Sequence, residues 1–95
     1  MLKILLKPEA ENDLEKIFEY TFSNWGIEQA EKYQDDLFYG MKLLANQENI
    51  GKNYPFADKP NRKIHVNRHL IFYRIERLNC IIIRILHDSM DIKKT

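Results

Sequence analysis

Cysteine, glycine and net charge are all scarce in this chain, and each scarcity removes a class of function. The single cysteine, Cys80, cannot close an internal disulfide, and its place in an apolar run reads as a buried core thiol. Three glycines form no phosphate-cradling pattern, and neither Ser23 nor Ser89 sits in a nucleophile elbow. A net charge of +1 supplies no global field for nucleic acid. Any basic site must therefore be local, and no direct sequence-specific nucleic-acid binding is expected. No apolar run approaches the length of a membrane span. The opening Leu2–Lys7 stretch is too short, and too interrupted by lysine, for a signal-peptide core. Repeats, low-complexity tracts and linkers are absent. His69, His87 and Asp88 lack the helix or knuckle spacing of metal ligands, so neither metal nor cofactor is expected. A soluble cytoplasmic protein is the expectation.

What the chain does have is enough apolar and aromatic character, 44% and 12%, to fold, in a length of 95 residues that suits one domain over 1–95. Residues 2–7 read as a strand, with Leu2, Ile4 and Leu6 on one face. Pro8 suits a first helical turn, and Glu9, Glu11 and Asp13 complement the positive end of the helix dipole. Ala10, Leu14, Ile17, Phe18, Thr21, Phe22 and Trp25 form one stripe, predicting an amphipathic helix over 8–24 that Gly26 ends. A second helix is predicted over about 27–46, lined by Ala30, Tyr33, Leu37, Met41 and Leu44, with Phe38 widening the stripe. The very short connection makes the pair an antiparallel hairpin. Gly40 in mid-helix costs about 1 kcal/mol relative to alanine, for which close helix contact is the usual compensation. Residues 47–61 read as a long loop, more often functional than idle.

Three strands follow near 62–66, 69–76 and 80–88, with turns at Asn67–Arg68 and Arg77–Leu78–Asn79. That register places Ile64 opposite Ile71, Ile71 opposite Ile85, His69 opposite His87 and Arg62 opposite Tyr73. Ile64, Val66, Ile71, Tyr73, Ile75, Ile81, Ile83 and Ile85 then share the face under the helices. Lys63, His65, Leu70, Phe72, Arg74, Ile82, Arg84 and Leu86 share the other, which no remaining helix covers. Such a face is either a contact surface or an amphipathic sheet whose cations cover apolar area with their stems. The fold class is α+β: an N-terminal strand, an antiparallel helical hairpin and three antiparallel strands (β-α-α-β-β-β), the helices on one face.

Arg84 lies in the most apolar strand, where a charge needs a reason. It is either functional or paired with Asp88, Asp91 or a helix carboxylate. Arg62 and Arg74 read as solvent-facing, Lys63 as solubilising and His65 as a surface residue. His69 and His87 are either an acid/base pair, half a metal site, or strand-end histidines satisfied locally. Trp25 is core or a partner anchor. Tyr20 and Tyr39 fall at the stripe edges, where they can line a groove for an amphipathic helix. Tyr54 and Phe56 in the loop pack over the core edge or face a partner.

The order of elements and several motifs together resemble the ParE toxins of the ParE/RelE superfamily of toxin–antitoxin modules. The matching segments are Phe22–Ala30 at the helix turn and Leu43–Lys52 at the end of the second helix, without the proline often seen there. Arg62–Lys63, His69–Tyr73 and Arg84–Asp91 then follow in order. The resemblance places the first strand beside the last. It implies a toxin that poisons DNA gyrase by binding, without performing a reaction, and that a ParD-like antitoxin neutralises. It also implies target contacts through Arg74, Arg84, His87, Asp88, Ser89 and Met90, and antitoxin contacts through Tyr20, Trp25, Phe38 and Tyr39. The alternative within the superfamily is a RelE-like ribosome-dependent mRNA endonuclease, for which Arg62, Arg84 and His87 would supply cations and an acid/base. Relatives with that activity often carry a tyrosine after the final strand, where this chain has Asp88, Ser89 and Met90.

Overall fold

Pro8, rather than a side-chain cap, starts the first helix: Lys7 is extended, and its carbonyl accepts from Ala10 and Glu11 N–H at 2.9 and 3.0 Å. In the computed structural model, which describes residues 2–46, 52–53 and 61–90, this helix (α1) runs Pro8–Trp25 after a strand β1, Lys3–Leu6. Gly26 ends it at φ 92°, a conformation that disfavours any Cβ, and its N–H reaches Phe22 O at 2.9 Å. The second helix, α2, begins at once and spans Ile27–Asn46. The helical hairpin stands as expected, one residue longer in α1.

The sheet has five strands: β1, β2 (Lys52–Asn53), β3 (Arg62–Val66), β4 (His69–Glu76) and β5 (Asn79–His87), in the order β1-β5-β4-β3-β2. β1 pairs parallel to β5, and the other pairs are antiparallel. The two-residue β2 lies within the stretch read as loop. Tyr54, Phe56 and Asp91 lie outside the described residues.

The expected pairs hold: Ile64 with Ile71, Ile71 with Ile85, His69 with His87, Arg62 with Tyr73. The second hairpin nevertheless differs from expectation in two compensating ways. Its turn is Arg77–Leu78 alone, since Glu76 already pairs with Asn79. One extra residue then enters β5 as a bulge opposite Phe72 and Tyr73, which restores the register beyond it. Between turn and bulge the β5 side chains are therefore on the face opposite to the one expected. Cys80 and Ile82, not Ile81 and Ile83, join the core with Tyr73 and Ile85, while Ile83 packs with Leu70, Phe72 and Leu86 on the outer face.

Beneath the helices the core is built from Leu37, Met41 and Leu44 of α2 and Ile71, Tyr73, Ile82 and Ile85 of the sheet, all at most 2% exposed. From α1 it takes Ala10, with Leu14 and Ile17 against it. The α1 stripe runs past the core: Phe22 and Trp25 are 50% and 65% exposed. Helix and sheet approach closely at Gly40, where a Cβ would stand 2.8 Å from Val66 Cγ2. The outer face is not bare. Leu70, Phe72 and Arg74 are all under 9% exposed, although His65 on the same face is exposed.

Candidate partner groove and the strand arginines

Arg74 and Arg84 are both paired within the fold. Arg74 is buried, its Nε donating to Glu76 Oε2 at 2.7 Å and Nη1 lying 3.4 Å from Asn61 Oδ1. Arg84 sits just past the bulge, where β5 has lost β1 as its neighbour, the last β1 pairing being Leu6 with Ile82. There it makes a forked pair with Asp13 of α1, Nε to Oδ2 at 2.8 Å and Nη2 to Oδ1 at 3.0 Å. The same Oδ2 accepts Ile85 N–H at 2.9 Å, so one carboxylate satisfies the guanidinium and a backbone donor that the missing strand would otherwise leave unpaired. The bond to Asp13 raises the Arg84 pKa. Both arginines read as target-binding are thus engaged internally, because a cation in a buried strand is stable only with such partners. Arg74 is also corrected from solvent-facing to buried.

Nor does the structure gather the three residues that nuclease chemistry would need. Arg62 pairs with Tyr73 at one end of β3, and the other end, Val66, pairs with His69 beside His87. Four strand residues separate the ends, roughly 13 Å. Arg84 and His87 are an odd number of residues apart beyond the bulge, so they start on opposite faces.

At the His87 end a different constellation forms. The Tyr33 hydroxyl of α2 accepts Arg68 N–H at 3.2 Å and shares a hydrogen bond with His69 Nδ1. For Tyr33 to donate in this bond, His69 is neutral and carries its proton on Nε2. Burial, helped by neighbouring His87, lowers its pKa from 6.5 to about 4, and burial raises that of Tyr33. The His69 and His87 rings meet edge to face at 5.3 Å. His87 Nδ1 accepts Ser89 N–H at 3.1 Å, with Ser89 Oγ at 2.8 Å. Asp88 lies between His65 Nε2 and His87 Nδ1, at 3.2 and 3.3 Å, and its N–H reaches Arg68 O at 2.8 Å. His69 and His87 are therefore strand-end histidines with local partners. Among the described residues no group of three His, Cys, Asp or Glu side chains is placed to hold a metal. Met90 closes the short 3₁₀ turn that begins at Asp88.

Of these residues, Tyr33, Arg68, His69 and His87 line a groove of about 880 Å³. One face of α1, Lys16, Ile17, Tyr20, Thr21 and Trp25, forms one wall, and Gln29 and Tyr33 of α2 form the other. Arg68, His69 and His87 close the strand end. Tyr20 and Trp25, 64% and 65% exposed, meet edge to face at 6.0 Å, so Trp25 is a surface aromatic rather than core. The structure does not bring Phe38 and Tyr39 here; they are exposed further along α2. Asp13, Lys16, Tyr33 and Arg68 carry roles the sequence reading did not assign. The helix carboxylate offered as a partner for Arg84 is Asp13, which the sequence otherwise marked as a helix-dipole charge, and Tyr33 was legible only as a core-stripe position.

A helical hairpin laid on one face of a mixed sheet is the arrangement of a RelE/ParE-like fold. The sequence profile described as "ParE toxin of type II toxin-antitoxin system, parDE" matches residues 4–92, and the chain belongs to this family. It is 32% identical over 93 residues to the toxin ParE1 of Mycobacterium tuberculosis, covering 97% of this chain and 95% of the relative. To the toxin ParE1 of Caulobacter vibrioides it is 31% identical over 86 residues, covering 90% and 88%. In fold it is similar to a chain of the chromosomal ParDE toxin–antitoxin system of P. aeruginosa, with TM-score 0.78 at 22% identity, covering 92% and 96%. A Helicobacter pylori toxin matches with TM-score 0.69 at 20% identity, covering 94% and 97%.

Proposed function

We propose that this chain is a cytoplasmic toxin that poisons DNA gyrase by binding it and is silenced by a ParD-like antitoxin. One observation carries the reading: the strand cations are engaged or dispersed while the groove between the helices offers exposed aromatics. Arg84, which a nuclease would need for a scissile phosphate, is held by Asp13, and Arg62 stands at the far end of the sheet from His87. Phosphoryl chemistry needs acid, base and cation converging on one atom. Recognition needs only an accessible, shaped surface, and large aromatic side chains are its usual anchors.

Within this reading the antitoxin takes the groove, anchored on Tyr20 and Trp25. A segment continuing along α2 would meet Phe38 and Tyr39, which are 39% and 64% exposed. Target contact falls to the C-terminal turn, where His87, Asp88, Ser89 and Met90 follow one another, and no longer to Arg74 or Arg84. No helix among the described residues is long and apolar enough to cross a membrane, which accords with this setting. The test is a gyrase supercoiling assay with purified protein. Supercoiling should stop, cleaved DNA–gyrase complexes should accumulate, and an equimolar ParD-like antitoxin should reverse both. Unaffected gyrase alongside mRNA cut in translating ribosomes would favour the endonuclease alternative.

A further inference from the structure

The groove is polar in a directional sense, and that direction specifies what it takes. Its aromatic end lies at the helix turn, where Tyr20 and Trp25 meet. Its other end holds both charged side chains of the lining apart from the imidazoles, Lys16 and Arg68. From Trp25 back to Lys16 is nine residues of one helix, about 13 Å or two and a half turns. No carboxylate belongs to the lining, although the chain as a whole is nearly neutral. Of the acids whose charge bears on Tyr33, Asp36 is engaged outside the lining with Lys32 and Asn67, while Asp88 pairs with His65 outside it and with His87 at its edge. Among the described residues, Lys16 and Arg68 have no carboxylate partner. Arg68 is also fixed in place, since its backbone N–H is held by Tyr33 and its carbonyl by Asp88 N–H.

We propose that Lys16 and Arg68 are specificity determinants for the partner: the groove takes an acidic amphipathic helix of the antitoxin. That helix sets a bulky apolar residue at the Tyr20–Trp25 end and a carboxylate about two and a half turns away at the Lys16–Arg68 end. This rests on the antitoxin reading above and adds the orientation and charge of the occupant. The aromatic end supplies contact area, while the cationic end fixes direction and rejects neutral or basic segments, the usual division between apolar and charged contacts. Both side chains are accessible, so their pairing with a carboxylate weakens as salt screens it.

The experiment measures binding of the ParD-like protein encoded beside this chain, by calorimetry in 50 and 500 mM NaCl. It compares the wild-type chain with Lys16→Glu, Arg68→Glu, the double variant and Trp25→Ala. Each charge reversal should weaken binding about tenfold or more at low salt. The wild-type affinity should fall with salt, and that of the double variant should not. The milder Lys16→Gln and Arg68→Gln, checked for unchanged unfolding midpoints, guard against misfolding. A Glu→Lys change in the facing helix of the partner should restore binding to Arg68→Glu. Binding within twofold of wild type for both reversals, with Trp25→Ala still weakened, overturns the charge assignment and leaves the groove as the antitoxin site. Failure of the wild-type chain itself to bind overturns the antitoxin reading and this proposal with it.

Discussion

Removing Arg84 should weaken the fold itself, and by an amount that the geometry sets. The Asp13 side chain is only 10% exposed, while that of Arg84 is 40% exposed. In Arg84→Ala the carboxylate keeps one donor, Ile85 N–H, and loses both charge-assisted bonds. Stripping the partner from a fully buried charge costs about 3–5 kcal/mol. Because the guanidinium already reaches water, that figure is discounted here to about 2 kcal/mol. Asp13→Ala should cost more, about 3 kcal/mol, since it also orphans the buried Ile85 N–H, worth about 1–3 kcal/mol alone. Asp13→Asn keeps an acceptor for that N–H and should fall between wild type and Asp13→Ala. In the double variant the losses should overlap, leaving a coupling of about 1–2 kcal/mol. Urea unfolding of the purified variants, extrapolated linearly to water, reads all four. An Arg84→Ala protein as stable as wild type but inactive would refute the reasoning, because the arginine would then belong to the target.

Other consequences follow from the same contacts. Gly40→Ala should gain about 1 kcal/mol of helix propensity yet lose more, because Val66 is stiff at χ1 and cannot yield to a Cβ 2.8 Å away. A net loss of about 1–2 kcal/mol is expected, relieved by adding Val66→Ala and read as a shift in unfolding midpoint. His69 is folded as the neutral form, with its pKa lowered to about 4 from 6.5. Its contribution is therefore complete above about pH 6.5 and disappears as pH falls through about 4, when the unfolded chain binds the proton first. The full shift corresponds to at most ~3 kcal/mol, reduced by partial exposure. Proton NMR titration of the imidazole should show a midpoint near 4; one at 6.5 or above would contradict a neutral acceptor for Tyr33. Trp25→Ala should change stability by less than about 1 kcal/mol, as a surface aromatic does, while abolishing measurable antitoxin capture in a pull-down.

Much of this fold is written locally. The stripes of α1 and α2 and the break at Gly26 each follow from spacing or backbone freedom, and each lies where those rules place it. The compensated hairpin shows where such reading stops. A three-residue turn and a two-residue turn plus a bulge give the same pairing for Ile71 and Ile85, so the hydrophobic pattern beyond the bulge cannot separate them. Only the faces of residues 80–83 differ, and an unbroken Ile81–Ile82–Ile83 run carries no alternation to decide them. The site was less legible for a related reason. Asp13 is four helix residues past Glu9, and its tie to Arg84 spans 71 residues of sequence, a separation that periodicity does not report. Tyr20 and Trp25 were visible as stripe-edge aromatics, but their exposure depends on α1 running beyond the core.

On the proposed function, this small fold acts by occupying a partner and not by cutting a substrate. A single cell-free translation reaction, supplied with gyrase, supercoiled plasmid and a labelled mRNA, tests it most directly. Addition of the purified toxin should convert plasmid to gyrase-linked cleaved DNA and leave the mRNA full length. Shortened mRNA with the plasmid still supercoiled would contradict the account.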